Sequence, residues 1–200
     1  MTLGNKHYQN VSDEQLIELV RQADVSAFEE LYQRYNQKLL FYFYRMLGAD
    51  NEKAQDFLQD LFLKIIDKKG DKGPIKHFNS WIFTIAHNMC KNEYRNSKVR
   101  NVIDTNHDLD SFADQIATPV HAPEHSVEKT IFEHALTKEL RQMDANQRST
   151  FLLKFQEGLT IKEISRVLQC SEGTTKSRLF YVTKKLADRL KVFHPHFSEV

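Results

Sequence analysis

Apolar residues recur at intervals of three and four residues through most of this 200-residue chain, which is the spacing of amphipathic helices. In the first half of the chain, this spacing predicts helices from Ser12, over about 26–47, over about 51–68 and over about 79–98. In the second half, it predicts helices over about 127–142, 145–157, 161–168 and 172–190. No segment alternates with period two for long enough to predict a strand, so the predicted fold class is all-α.

Residues 99–127 interrupt the helical pattern. They contain few periodic apolar positions, four Asp, one Glu and two prolines. This composition predicts a flexible acidic linker. We therefore expect two small helical domains, over 10–98 and 128–190, on either side of it.

Composition narrows the functional class only slightly. Apolar residues make up 40% of the chain, with six Gly and four Pro, which fits a helical globular protein. No apolar run approaches the roughly 18 residues of a membrane span, and the N-terminus lacks the apolar core of a signal peptide. We therefore expect a cytoplasmic protein without membrane insertion. Cys90 and Cys170 have no metal-ligand spacing, and no metal or cofactor is expected.

Charge is unevenly distributed, although the net charge is only +1. Residues 61–100 carry +6 and residues 161–191 carry +5, whereas 12–60 carry −5 and 101–133 carry −6. Two basic blocks separated by an acidic stretch predict two surfaces for an anionic polymer. The alternative is that these blocks are ordinary solvated helix faces.

Residues 159–186 have the spacing of a helix-turn-helix. A short helix opens with a capping box, three residues form a turn, and Ser171 caps a longer second helix. Arg178 on that second helix can donate two hydrogen bonds to guanine, and Lys176 can pair with phosphate. An ordinary helical hairpin with a solvated face is the alternative. The candidate DNA contacts are Glu172, Gly173, Thr174, Lys176, Ser177, Arg178 and Tyr181.

The other basic block contains a second candidate DNA surface. Aromatic rings beside basic and amide side chains suit unstacked bases, where each stacked base contributes ~1–3 kcal/mol. The alternative is that the two aromatic rings belong to the core. The candidate residues are Phe78, Trp81, Asn88, Asn92, Arg95, Asn96 and Lys98.

Three motifs, in order along the chain, resemble those of one known family. The acidic pattern Q-D-F-L-Q-D-L-F-L-K stands at 55–64, F-N-S-W-I-F-T-I-A-H-N at 78–88 and G-T-T-K-S-R-L at 173–179. On these motifs, residues 10–190 resemble a bacterial sigma factor of the extracytoplasmic-function (ECF) group of the sigma-70 family.

The resemblance implies a protein that binds the clamp and flap regions of core RNA polymerase and directs transcription initiation in response to an extracytoplasmic or stress signal. The domain 10–98 would capture the melted −10 element, the domain 128–190 would read the −35 element as duplex promoter DNA, and the linker would thread through the polymerase. An anti-sigma factor is an implied further partner. The implied polymerase contacts lie on the third helix, at Gln55, Asp56, Gln59, Asp60, Phe62 and Lys64.

Two other classes of function compete with this interpretation. A helix-turn-helix repressor acting without polymerase is favoured only if the face of residues 78–100 is core rather than DNA surface. An enzyme is not expected, because the sequence has no H-E-x-x-H spacing, Gly-rich phosphate loop or G-x-S-x-G elbow.

Overall fold

The computed structural model describes residues 8–67, 73–103 and 127–193. Within these ranges the chain forms α-helices and no strand, so the all-α prediction is confirmed. No helix in the described ranges is both long and apolar enough to cross a membrane. The helices are α1 (Asp13–Arg21), α2 (Val25–Met46), α3 (Asn51–Asp67), α4 (Phe78–Ile103), α5 (Val127–Arg141), α6 (Ala145–Phe155), α7 (Ile161–Val167) and α8 (Glu172–Leu190), followed by a short 3-10 helix (Lys191–Phe193).

Side-chain caps explain where several helices begin. The Ser12 hydroxyl accepts a hydrogen bond from the backbone N–H of Gln15, whose side chain accepts one from the Ser12 N–H in return. Thr160 and Glu163 form the same reciprocal box at the start of α7. These contacts satisfy N–H groups that have no partner inside the helix. The four caps expected from the sequence are confirmed at Ser12, Asp144, Thr160 and Ser171.

The fourth helix is longer than predicted. It continues to Ile103, so its last turn enters the segment predicted as a linker, and α5 begins at Val127. The rest of the predicted linker, residues 104–126, lies outside the described residues. The domain boundaries 10–98 and 128–190 therefore stay a prediction.

Helix α2 lies at the centre of the first half of the molecule, where it contacts α1, α3 and α4. Tyr42, Phe43 and Phe83 have no exposed surface. The rings of Tyr42 and Phe83 meet edge to face, with their centroids 5.5 Å apart. This geometry stabilises aromatic pairs beyond the burial of their area, and it fixes the position of α4 against α2.

In the second half, α6, α7 and α8 pack together as the helix-turn-helix unit and α5 lies against α8. Ile164 and Val167 of α7, together with Val182 and Leu186 of α8, are buried in the core, and the two helices contact each other. The exposed side of α8 is thereby held in a fixed orientation.

The two halves pack directly against each other, because α2 and α4 contact α5, α6 and α7. We call this contact the seam; the residues that define it are Tyr42, Met46, His87 and Tyr94 on one side and Asn146, Arg148 and Ser149 on the other. The buried hydroxyl oxygens of Tyr42 and Ser149 lie 2.7 Å apart across it. The apolar cores of the two halves consequently form one cluster.

Arg148 makes the densest polar contact of the seam. Its side chain is 3% exposed, and burial lowers the pKa of the guanidinium. Nη1 donates across the seam to the Met46 carbonyl at 2.5 Å and to the Tyr94 hydroxyl. The other donors remain in their own half, where they bind the carbonyl oxygens of Leu140, Arg141 and Met143. All three guanidinium nitrogens therefore have acceptors, which a buried cation requires.

We expect Thr160→Ala to lower the free energy of unfolding by about 0.5–2 kcal/mol, because α7 loses its N-cap acceptor. Urea unfolding followed by circular dichroism measures this loss. The matched control is Thr160→Ser, which keeps the hydroxyl and should stay close to the parent chain. Equal losses in the two variants would contradict the capping role.

Candidate nucleic-acid interface

The turn between α7 and α8 is tight, and the backbone N–H groups of Gln169 and Cys170 have hydrogen-bond acceptors. Gln169 adopts a left-handed backbone with φ of 51°. The N–H of Cys170 donates to the Ser165 carbonyl at 3.0 Å, and the Ser171 hydroxyl accepts from the N–H of Thr174 at 3.0 Å. The start of α8 is thus anchored by a backbone hydrogen bond to α7 and by the side chain of its N-cap residue, Ser171.

Most of the predicted contacts on α8 face solvent. Thr174 is partly buried, and its hydroxyl oxygen lies 2.8 Å from that of Ser171. Arg178 is also partly buried, and its Nη1 lies 3.5 Å from the Cys170 sulfur. Its guanidinium must leave this weak contact to reach a base edge. The exposed members of the predicted set are Glu172, Gly173, Lys176, Ser177 and Tyr181.

Phe180 is a surface residue that sequence reasoning missed. It is 60% exposed, and its ring meets the ring of Tyr181, itself 65% exposed, edge to face with centroids 5.5 Å apart. Phe180 follows Ser177 by three residues, so the two share the outward face of α8. That spacing was the available signal, but an aromatic residue in a helix is ordinarily assigned to the core.

The predicted DNA face of α4 is present as one exposed row. Asn88, Asn92, Arg95 and Asn96 all lie in solvent, at intervals that place them on one side of the helix. The side chain of Lys98 lies outside the described residues. The face of α4 is therefore surface and not core.

The predicted base contact at Phe78 is wrong for this structure. Phe78 has no exposed surface, because its ring packs edge to face on Tyr35 with centroids 5.2 Å apart. Trp81 is partly buried and lies 5.5 Å from the Phe78 ring, between centroids. Phe78 thus packs against Trp81 inside the core, and of these two rings Trp81 is the one with solvent-exposed surface.

The outer face of α3 is acidic and polar, with an apolar residue at its centre. Gln55, Asp56, Gln59, Asp60 and Lys64 are exposed as predicted. Leu63, which the sequence analysis did not select, lies among the acidic residues and is 57% exposed. This face of α3 therefore combines one exposed apolar side chain with acidic and amide side chains.

Phe62, in contrast, is not a surface residue. It is 4% exposed, and its ring lies 4.8 Å from that of Tyr32 and 5.9 Å from that of Phe28, between centroids. Its predicted contact with polymerase is therefore corrected: Phe62 joins α3 to α2, and the side chain presented outward is its neighbour Leu63.

Known proteins carry the same two segments. The family described as "Sigma-70 region 2" matches residues 31–100, and the family described as "Sigma-70, region 4" matches residues 133–186. The RNA polymerase sigma-H factor of Pseudomonas aeruginosa is 30% identical over 171 residues, which cover 84% of this chain and 88% of that protein. The ECF sigma factor SigW of Bacillus subtilis is 25% identical over 88% of this chain and 95% of its own.

A solved structure shares the fold. The sigma factor RpoE of Bartonella quintana, in complex with the anti-sigma factor NepR, superimposes with a TM-score of 0.63 over 82% of this chain and 98% of its own, at 23% identity. The chain belongs to the sigma-70 family of RNA polymerase sigma factors, and within it to the ECF group. It is a factor that directs core polymerase to promoters, and the repressor alternative is set aside.

We expect Phe62→Ala to lower the free energy of unfolding by about 3–5 kcal/mol, because a buried ring is removed from between α2 and α3. Leu63→Ala should change it by less than about 0.5 kcal/mol, because that side chain is exposed. Urea unfolding of both variants checks the difference. A stable Phe62→Ala chain that fails to bind polymerase would restore the direct contact.

Proposed function

We propose that this sigma factor binds polymerase, the −10 element and the −35 element through three separate exposed surfaces. A domain over 10–98 binds polymerase through α3 and the −10 element through α4, a domain over 128–190 reads the −35 element through α8, and residues 99–127 link them. The observation that supports this is that α4 and α8 each present a polar and basic row to solvent while their other sides are packed.

Helix α8 is assigned to the duplex −35 element. Its exposed residues occupy the first turns, which enter the major groove, and its N-terminal N–H groups favour phosphate. Arg178 is suited to guanine and Lys176 to the backbone. Phe180 and Tyr181 add an apolar surface of the kind that contacts thymine methyl groups. The proposed −35 set is the sequence-predicted one with Phe180 added.

The row on α4 is assigned to the melted −10 element. Amide side chains at Asn88, Asn92 and Asn96 can both donate to and accept from the edges of unpaired bases. Arg95 can bind phosphate or stack on a base, and Trp81 stands at the N-terminal end of the row. Lys98 completes the predicted set.

The outer face of α3 is assigned to the polymerase clamp, and the second domain to the flap region. Leu63 supplies an apolar anchor, and Asp56 and Asp60 supply a negative rim. A basic helical partner fits this surface. Gln55, Gln59 and Lys64 complete the proposed contact.

The experiment that tests this function is run-off transcription with core polymerase on a genomic fragment pool, with and without the chain. Discrete chain-dependent transcripts are expected, and their absence contradicts the proposal.

On a promoter found in this way, Arg178→Ala should weaken binding by about 1–3 kcal/mol at one position of the −35 element. Arg178→Lys should not rescue it, because lysine lacks the paired donors. Lys176→Ala should weaken all sequences alike. An unchanged −35 preference in both alanine variants would remove α8 from the assignment.

The packed arrangement of the two halves has a consequence for promoter binding. The −10 and −35 elements lie some 25 base pairs apart, which is about 85 Å of duplex. A compact chain of this length is about 40–45 Å across. Both DNA surfaces can therefore engage one promoter only after the seam opens.

We expect core polymerase to separate the halves. Fluorescent labels on Lys38→Cys of α2 and Gln156→Cys at the end of α6, both exposed, in a Cys170→Ser background should report a short distance in the free chain, where α2 contacts α6, and a longer one in the complex. The matched control places both labels in the first half, at Gln22→Cys and Lys38→Cys, and should not change. A free chain that already shows the longer distance would contradict the closed arrangement.

The cellular location and the regulation of this factor follow from its proposed partners. Since polymerase and promoter DNA lie in the bacterial cytoplasm, the chain is assigned there and carries no catalytic role of its own. RpoE of Bartonella quintana is found with an anti-sigma factor. We extend that to this chain: an anti-sigma factor would hold it until an extracytoplasmic or stress signal arrives.

A further inference from the structure

His87 of α4 lies buried in the seam. The residue is 3% exposed, and the side chain of Asn146 on α6, in the other half of the molecule, lies near enough to influence the pKa of its ring. Its Nδ1 atom has no hydrogen-bond partner among the described residues. The ring is thus a polar group buried in the seam, and one of its nitrogen atoms lacks a hydrogen-bond partner there.

The charges that act on this ring, among the described residues, are both positive. Lys91 lies one turn further along α4, and Arg178 reaches it from α8. Helix α6 faces the ring with the neutral amide of Asn146. A third positive charge at His87 would therefore meet repulsion from its own helix and from the other half.

We propose that protonation of His87 weakens the seam, so that acidification raises the fraction of the chain in the open form, in which the two DNA surfaces can engage one promoter. The opening itself is a property of the chain alone, and only its effect on transcription rests on the proposed function.

The physical reason lies in where the proton would go. Protonation makes both ring nitrogens donors, and Nδ1 would then be a charged N–H without an acceptor in a dry contact. Opening the seam gives that N–H to water and moves Arg178 away from the ring. The open form therefore binds the proton more tightly than the closed form.

The direction of the pH dependence follows from linkage. Burial, with Lys91 and Arg178, lowers the pKa of His87 from 6.5 to about 4 in the closed form. If opening restores the ordinary pKa, the closed form is fully stable above about pH 6.5 and loses stability as the pH falls towards about 4. The ratio of open to closed chain should rise about tenfold between about pH 7.5 and about pH 5.5.

The experiment uses the labelled pair at positions 38 and 156, without polymerase, titrated from about pH 7.5 to about pH 5. In the parent chain, the ratio of molecules at the longer distance to molecules at the shorter distance should rise about tenfold by about pH 5.5, while circular dichroism shows that the helices persist. His87→Gln, which keeps an uncharged hydrogen-bonding side chain, should keep this ratio constant. The matched control is His134→Gln at an exposed position of α5, in which the ratio should rise as in the parent.

A second variant guards against misfolding of the His87 variant. Lys91 is exposed, so Lys91→Gln should fold normally, reduce the repulsion on the protonated ring and flatten the pH response. A parent chain whose ratio of open to closed form does not rise between about pH 7.5 and about pH 5, with its helices intact, would overturn the proposal. Opening of His87→Gln in step with the parent would overturn it equally. A chain that opens in acid but never supports run-off transcription would contradict the proposed function alone.

Discussion

The rest of the arrangement depends on one buried cation, the guanidinium of Arg148. Hydrogen bonds from a charged donor contribute about 1.5–3 kcal/mol each, and a buried cation deprived of acceptors is strongly destabilising. The acceptors here come from both halves: three carbonyls beside α6, the last carbonyl of α2 and a hydroxyl of α4. The satisfied state thus requires α2, α4 and α6 in one geometry, and this specifies the seam.

Helix α4 shows how one element serves several purposes. Ile82, Ala86 and Cys90 form its core side, and burial raises the pKa of the Cys90 thiol, which leaves it protonated. His87 and Tyr94 form its seam side. The amide and arginine row forms its third side, exposed to solvent. Because the three sides share one rigid helix, the orientation of the −10 surface is fixed by both the core and the seam.

Some aromatic and aliphatic residues are buried in the core and others are exposed on the helices, and composition does not reveal which. Phe62 and Phe78 are buried. Leu63 and Phe180, in contrast, lie outward on α3 and α8. Phe62 and Leu63 are neighbours in sequence with opposite roles, since adjacent positions on a helix differ by about 100° in direction.

Much of this protein was determined by its sequence alone, because the interactions concerned are local. Helix starts followed from capping side chains within four residues of the backbone they bind, and the exposed rows of α4 and α8 followed from helical spacing. The motifs sufficed for the family. The end of α4 at Ile103, the burial of Phe62, the choice of the core alternative for Phe78 and the position of Phe180 were decided by the tertiary structure, because each depends on which neighbouring element covers that side of a helix. The seam was the feature that the sequence predicted least. The contacts of Arg148 with Met46 and of His87 with Asn146 join residues far apart in the chain, and no periodic pattern records a pairing between two separate helices.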